Sequence, residues 1–263
     1  MDLGAALVNP LFAGLFDDAA IFPPGDLPIP DAVKAHRERQ GSALAPLLGP
    51  FVCPLARFGE LTEAVAGGPK LAVSLILASP EDEPPADPAV DVVAVEFPGV
   101  PAVAAGTLPA YAEIPCGEVT ATRLAAVRDA GVRLKIRTGG VRADAFPAEP
   151  ELARALWSAV RAGVAFKLTA GLHDPIRHRD PLTGFEHHGF LNVMLATARA
   201  VQGYDIERAL ADQDGERVAS AVAGLDEVLV KAVRRHFVSF GTCSVAEPVA
   251  GLLRYRLLPE ELR

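Results

Sequence analysis

The chain has 263 residues, a hydrophobic content of 50% and a formal net charge of −8. This length and apolar content allow one large core, so we expect a single α/β domain over residues 1–263. The acidic balance, without any basic cluster, argues against nucleic acid or an anionic membrane surface as a partner. No run is long enough to span a membrane, and three widely spaced cysteines indicate neither a disulfide framework nor a zinc knuckle. A soluble cytoplasmic protein is therefore expected.

Short apolar runs alternate with helix-like segments along the chain. Strands are predicted at 19–22, 51–53, 71–77, 92–97, 110–114, within 133–140, within 164–173 and at 236–241. Helices are predicted over 2–15, 30–40, 55–66, 120–130, 149–162, 189–201, 206–211, 217–230 and 247–257, while 79–88 and 174–187 are interpreted as loops. Eight strands alternating with helices predict a (β/α)8 barrel with an N-terminal helix; a doubly wound open sheet is the alternative. The connection after the fourth strand looks too short for a helix that covers the barrel well.

Two lysines stand in the middle of consecutive predicted strands, Lys135 in the sixth and Lys167 in the seventh. The chain has only five lysines against 20 arginines, and a buried lysine is expensive, so their matching positions need an explanation. Lysine differs from arginine in having a removable proton and therefore a nucleophilic amine. The pair predicts amine chemistry inside the barrel.

Alternation along each strand predicts which polar side chains share the inward face with the two lysines. They are Glu96 on the fourth strand, Glu113 on the fifth, Arg137 on the sixth, Thr169 and Gly171 on the seventh, and Ser239 on the eighth. Charged groups around one barrel mouth must form a coupled network, and we expect at least one lysine with a lowered pKa. The structural alternatives are a salt-bridged ring that only closes the barrel, or lysines that face the helices.

Three strand ends carry short motifs. The sixth strand contains Lys135-Ile-Arg-Thr138-Gly139, the seventh Lys167-Leu-Thr-Ala-Gly171, and the eighth ends in Gly241-Thr-Cys-Ser244. In this order the motifs resemble those of the deoxyribose-phosphate aldolases, (β/α)8 class I aldolases with a K-x-x-T-G pattern on strand 6, a second lysine on strand 7 and a G-T-S-S phosphate turn. The resemblance implies that Lys135 forms the Schiff base and that Lys167 lowers its pKa. It also implies that Glu96 transfers protons in place of the family's aspartate.

Arg137, Ala170 and His173 depart from the family pattern, and an arginine can pair with a carboxylate through two hydrogen bonds. The expected substrate is therefore a small anionic carbonyl compound, either a sugar phosphate or a keto acid, and no cofactor is expected. The expected catalytic residues are Lys135, Lys167, Glu96 and Glu113, and the expected substrate-binding residues are Arg137, Thr138, Thr169, Gly171, His173, Gly241, Thr242 and Ser244. A homo-oligomer is compatible with this interpretation.

Four of the six histidines lie between His173 and His188. The H-x-H of metal-dependent hydrolase barrels and the HExxH motif are missing, so no metal is expected, and 174–186 is interpreted as an active-site lid. The alternatives left open are a metal-dependent hydrolase that uses His173, His178 and Glu113, and a non-catalytic barrel that binds anions.

Three further residues are interpreted as structural. Asp17 and Asp18 precede the predicted first strand, at the end of a barrel that normally serves stability. Cys243 follows the eighth strand but lacks an elbow motif, so we expect a small buried residue rather than a nucleophile.

Overall fold

A computed structural model describes residues 8–102 and 106–262. Its strands are β1 (Phe16–Asp18), β2 (Leu48–Pro54), β3 (Leu71–Ile76), β4 (Val90–Pro98), β5 (Ala110–Glu113), β6 (Arg133–Arg137), β7 (Phe166–Thr169), β8 (His178–Arg179), β9 (Glu186–His187) and β10 (Phe237–Thr242). All except β8 and β9 form a closed parallel barrel in the order β1-β10-β7-β6-β5-β4-β3-β2. Because β1 pairs with both β10 and β2, the sheet has no open edge. The predicted (β/α)8 barrel is confirmed, and the open sheet is excluded.

The helices of the described chain are α1 (Ile29–Gln40), α2 (Phe58–Val65), α3 (Ala121–Asp129), α4 (Glu149–Arg161), α5 (Phe190–Gln202), α6 (Glu207–Ala211), α7 (Gly215–Ala223), α8 (Glu227–His236) and α9 (Ala246–Arg254). In α4, Leu152, Leu156 and Ala159 are buried along one face, which is the helical spacing that packs an amphipathic helix on a barrel. Between β3 and β5 the described connections, 77–89, 99–102 and 106–109, hold no helix. The wall next to β4 is therefore the least covered side, as the short connection predicts.

Four segments have a different structure from the one that the sequence predicts. Residues 8–15 form turns rather than a helix, and residues 2–7 of that prediction lie outside the described chain. The first strand is Phe16–Asp18, before the apolar run at 19–22. The helix predicted over 217–230 is two helices, since Asp226 begins α8 by accepting a hydrogen bond from the Leu229 backbone N–H at 2.8 Å. The loop over 174–187 contains the antiparallel pair β8 and β9.

An aromatic cluster packs the outside of the barrel against the helices. The Phe16 ring lies 5.4 Å from that of Phe240 and 6.1 Å from that of Phe190 of α5, and Phe190 stacks on Phe240 at 5.2 Å. These apolar residues alternate along the strands with polar residues that face the barrel interior. In the part of the chain that the structure describes, every helix is too short or too polar to cross a membrane.

Candidate active site

The strand register brings the predicted charged residues to one level of the barrel. Glu113 of β5 pairs with Lys135 of β6, and Lys135 pairs with Lys167 of β7. In-register neighbours in a parallel sheet point to the same face, so all three side chains enter the barrel. Glu96 of β4, the strand next to β5, contacts both lysines. The inward placement that alternation predicts for these four residues is confirmed; their catalytic role stays a prediction.

Six side chains form one continuous series of ion pairs, which we call the inner ion-pair chain: Asp17, Lys167, Glu96, Lys135, Glu113 and Arg137. Lys167 Nζ lies 2.5 Å from Asp17 Oδ2 and 2.7 Å from Glu96 Oε1. Lys135 Nζ lies 2.8 Å from Glu96 Oε2 and 2.7 Å from Glu113 Oε2, and Arg137 Nε donates to Glu113 Oε1 at 3.1 Å. Negative and positive groups alternate and balance, which is how five strands can place buried charges in one interior.

Asp17 is a member that sequence reasoning missed. Because β1 includes the two aspartates, Asp17 points into the barrel, where it is buried and accepts a hydrogen bond from the Ser239 hydroxyl at 2.8 Å. The adjacent Gly49 of β2 leaves the room for its carboxylate, since a Cβ at position 49 would collide with Asp17 Oδ1. The predicted position of Asp17 before the first strand is wrong, and its interpretation as a structural residue stays a prediction. The sequence signal for its position is alternation. Had the first strand been predicted to begin at Phe16, alternation would have placed the Asp17 side chain inside the barrel.

Charge pairing decides the protonation of two buried members of the inner ion-pair chain, Lys167 and Glu96. Burial alone would lower the pKa of Lys167, but the charges of Asp17 and Glu96 raise it above its ordinary value. Burial would likewise raise the pKa of Glu96, but the ammonium groups of Lys167 and Lys135 hold it below its ordinary range. Lys167 is therefore not a lysine with the lowered pKa that the sequence predicts for at least one of the pair. Glu96 lies between the two ammonium groups and offsets the repulsion on which that prediction depended.

The three carboxyl groups differ in their pKa values. Burial opposes ionisation of Glu113, but Lys135 and Arg137 lower its pKa below the ordinary value. Burial raises the pKa of Asp17, and Lys167 only partly counteracts this effect. Environments that separate the pKa values of carboxyl groups divide them between proton-accepting and charge-stabilising roles. Among these carboxyl groups Asp17 accepts a proton most readily.

The inner ion-pair chain runs from the closed interior to the carboxyl ends of the strands. Tyr111 forms its floor, with Lys167 Nζ 5.0 Å from the ring centre. Lys135 is buried, Glu113 keeps 26% of its side chain exposed and Arg137 keeps 51%. Within the described residues no hydrogen bond reaches the Nη groups of Arg137. The mouth therefore presents a partly free guanidinium directly above the lysines.

The glycine turns after β6 and β7 pack on each other. The Thr138 hydroxyl donates to the Ala170 carbonyl oxygen at 2.7 Å, and a Cβ at Gly139 would lie 2.8 Å from Gly171 Cα. Gly171 has φ +77°, in the left-handed region that favours glycine. These contacts give Thr138 and Gly171 a structural reason to be present, and their predicted contact with substrate stays a prediction. Thr169 faces inward, as predicted, with its hydroxyl beside Gly241.

The predicted binding residues after β10 gather around His173. The His173 Nδ1 atom lies 3.0 Å from Glu247 Oε2 and 3.4 Å from the Thr242 hydroxyl. Thr242 in turn donates to the Ser244 carbonyl oxygen at 2.9 Å. Cys243 is half-buried, with its Sγ 3.8 Å from His173 Nε2. The interpretation of Cys243 as a small buried residue is therefore wrong, and Glu247 is a neighbour that sequence reasoning missed.

Two of the remaining histidines, His178 and His187, belong to the hairpin β8–β9. His178 and His187 stack with ring centres 5.2 Å apart, and Phe146 packs on His187 at 4.5 Å. Arg177 is buried in a pair with Glu149 at 2.8 Å, beside a cleft of about 290 Å³ between the hairpin and the start of α4. The hairpin thus packs beside the loop after β6, which is compatible with the predicted lid. Across residues 8–102 and 106–262, no group of three or more His, Cys, Asp or Glu side chains is placed to hold a metal ion.

Comparison with known proteins gives no relative: no protein-family model, curated protein or solved structure matches this chain.

Proposed function

We propose that the chain is an aldolase-type lyase, which acts on a small anionic carbonyl compound through an imine at Lys135. The observation that carries the proposal is the position of Lys135 Nζ between two carboxylates, Glu96 at 2.8 Å and Glu113 at 2.7 Å. Imine chemistry needs an amine with proton donors and acceptors within hydrogen-bond distance. The two carboxylates are proton acceptors within that distance, and Glu113 lies toward the end of the barrel where such enzymes hold their active sites.

Lys135 is favoured over Lys167 by its surroundings. Lys167 is enclosed by Asp17, Glu96 and the Tyr111 ring, and its raised pKa keeps it an ammonium ion. Lys135 has Glu113, a partner that is partly exposed at the mouth. Lys167 supplies a fixed positive charge, whereas Lys135 can exchange its proton through Glu113.

The reaction starts when the substrate anion binds Arg137 and weakens the contact between that residue and Glu113. Arg137 then lowers the pKa of Glu113 less, so that Glu113 accepts a proton from Lys135 and the free amine attacks the carbonyl carbon. Loss of water from the carbinolamine, with the proton returned by Glu113, leaves an iminium ion. This ion accepts the electron pair of the bond between the α and β carbons as that bond breaks. Glu113, ionised again, takes the proton of the β-hydroxyl group, and an enamine and a second carbonyl compound are formed.

A non-catalytic barrel that binds anions is the second candidate. The full pairing of Lys167 and its raised pKa favour this alternative, because a structural ion-pair chain has the same features. The hydrolase alternative has less support. Its expected ligands engage separate partners, Glu247 for His173, His187 for His178 and Lys135 for Glu113.

Reductive trapping tests the proposal. The protein is incubated separately with pyruvate, glyceraldehyde and glyceraldehyde 3-phosphate, reduced with borohydride, and mapped by peptide mass. One adduct at Lys135 is expected; Lys135→Arg should abolish it, whereas Lys70→Arg, at an exposed lysine, should leave it unchanged. Because mapping of the wild-type protein already locates the adduct, poor folding of Lys135→Arg does not prevent a decision. Adducts only at exposed lysines, or none, would favour the non-catalytic barrel.

The role of Arg137 is tested by binding. Arg137→Gln should weaken pyruvate or phosphate binding in calorimetry by about tenfold, because a charge-assisted contact is lost. The matched control is Arg142→Gln, since Arg142 is exposed and pairs only with Asp144 in the described chain. Equal affinities for the wild type and both variants would remove Arg137 from the anion site.

A further inference from the structure

A second group of reactive side chains lies at the carboxyl end of the barrel: Cys243, His173 and Glu247. Cys243 directly follows β10, His173 lies four residues after β7, and Glu247 stands in the first turn of α9. The group forms because β7 and β10 are neighbouring strands, so that the loops after them meet. None of the three residues belongs to the inner ion-pair chain.

The contacts within this group are ordered. Glu247 Oε2 lies 3.0 Å from His173 Nδ1, and Cys243 Sγ lies 3.8 Å from Nε2. A carboxylate that accepts the Nδ1 proton fixes the imidazole tautomer in which Nε2 is the basic nitrogen. That nitrogen is then available to take the thiol proton. The sulfur is also 3.9 Å from Nδ1 and so lies almost equally far from both nitrogens. The ring must rotate to bring Nε2 toward the thiol, and contacts between catalytic groups are often long or poorly aligned without substrate.

The other two cysteines provide an internal comparison. Burial raises the pKa of both Cys53 and Cys116 to about 12, and neither contacts an imidazole within the described part of the chain. Burial also raises the pKa of Cys243, but a hydrogen bond from the Gly25 backbone opposes that rise. Cys243 is therefore the cysteine whose surroundings come closest to those of a nucleophile.

We propose that Cys243, His173 and Glu247 form a second nucleophilic site, which adds reversibly to the carbonyl carbon of a small aldehyde or keto compound at the barrel mouth. The sulfur–carbon bond forms as the π pair of the carbonyl group moves to oxygen. The thiol proton passes to His173 Nε2 and from there to that oxygen, which gives a hemithioacetal without oxidation or reduction. The inference rests on the proposed function only for the class of ligand, and no lysine takes part in the step.

Acetaldehyde labelled with ¹³C at its carbonyl carbon is the probe. The wild-type protein should show one hemithioacetal resonance, which is lost in Cys243→Ser and kept in Cys116→Ser. His173→Gln should slow exchange between bound and free acetaldehyde at least about tenfold, because the proton carrier is removed. His236→Gln changes a histidine at the other end of β10 and should leave the exchange rate unchanged. If Cys243→Ser does not fold, wild-type protein alkylated at Cys243 by iodoacetamide replaces it.

Two results would overturn the inference: no resonance that depends on Cys243, or an exchange rate that is the same in the wild type and His173→Gln. The second result would identify Cys243 as an accessible thiol without a proton carrier. Failure here is separate from failure of the imine proposal. A borohydride adduct at Lys135 without the Cys243 resonance removes only this inference, and the resonance without a lysine adduct removes only the imine.

Discussion

Asp17 and Asp18 are neighbours on β1, yet they anchor two different sets of charges on opposite faces of the barrel wall. Asp17 joins the inner ion-pair chain through Lys167. Asp18 points outward to α1, where its Oδ2 lies 2.9 Å from both His36 Nδ1 and Arg39 Nη1. Both carboxyl groups are buried and paired, so burial and pairing do not separate structural charges from candidate catalytic ones. The location of each set in the fold distinguishes the two. The inner set continues to the carboxyl ends of the strands, whereas the outer set joins one strand to one helix.

Loss of a buried cation should give the largest effect. Lys167→Met leaves Asp17 and Glu96 without their shared partner and should lower the free energy of unfolding by about 3–5 kcal/mol in urea titration. The outer counterpart Arg39→Met should cost about 1 kcal/mol, because Arg39 is 23% exposed and its contact with Asp18 is partly replaced by water and His36. If Lys167→Met and Arg39→Met lower the free energy of unfolding by the same amount, the inner and outer sets do not differ in their contribution to stability. Adding Asp17→Asn to Lys167→Met should recover part of the loss.

Neutralising each aspartate should separate stability from chemistry. Asp18→Asn should cost about 1.5–3 kcal/mol, because hydrogen bonds to a charged group are weakened, but should leave borohydride trapping at Lys135 unchanged. Asp17→Asn should reduce stability and also speed trapping, because Lys167 then depends on Glu96 alone and draws that carboxylate away from Lys135, which gives up its proton more readily. Trapping and urea unfolding are measured on the same preparations. Slower trapping in Asp18→Asn would contradict the division between the two faces.

A methyl group beside Asp17 should disturb the inner set alone. Gly49→Ala places a Cβ against Asp17 Oδ1 and should lower the free energy of unfolding by about 1–2 kcal/mol through crowding. Gly59→Ala is the matched control, since a Cβ at Gly59 in α2 meets nothing within 4 Å and alanine favours a helix. Gly59→Ala should have a free energy of unfolding equal to or higher than that of the wild type in the same urea titration. Equal stability of Gly49→Ala and the wild type would show that Asp17 moves aside freely.

Acid titration should show the smallest effect. The pKa values of Glu96 and Glu113 are lowered from 4.5, so the stability they contribute is present above pH 4.5 and is lost as the pH falls through their folded-state values. Glu113→Gln should remove its share, on the order of 1 kcal/mol, and make the loss of stability below pH 4.5 less steep. Urea unfolding at a series of pH values measures this slope. An unchanged slope would mean that Glu113 is not paired in solution.

The barrel and the inward face of its central strands were predictable because both follow from periodicity. Lys135, Lys167, Glu96 and Glu113 stand at alternate positions of apolar runs, and alternation fixes the face on which a side chain lies. The first strand was not predictable in this way. It contains Asp17-Asp18, whose burial depends on partners that the fold brings from far along the chain, and a local apolar run at 19–22 was the stronger pattern.

The rim of the site was harder to predict than its interior. His173 and Cys243 are loop residues without periodicity, so nothing in the sequence indicated that Cys243 and Glu247 of α9 meet His173, about 70 residues earlier in the chain. The protonation states of the buried groups could not be predicted from the sequence for a related reason. The raised pKa of Lys167 follows from the two carboxylates that surround it, and only the folded chain shows how many anions each cation meets.

The alternation of charge inside the barrel also limits how this sequence can evolve. Each buried member of the inner ion-pair chain has partners of opposite sign, so a single substitution that removes one charge leaves an unbalanced ion in the interior. Viable replacements must therefore occur in compensating pairs, such as loss of Asp17 together with loss of Lys167. The six positions should drift as a coupled unit, whereas the aromatic residues on the outer wall can exchange one at a time for others of similar volume.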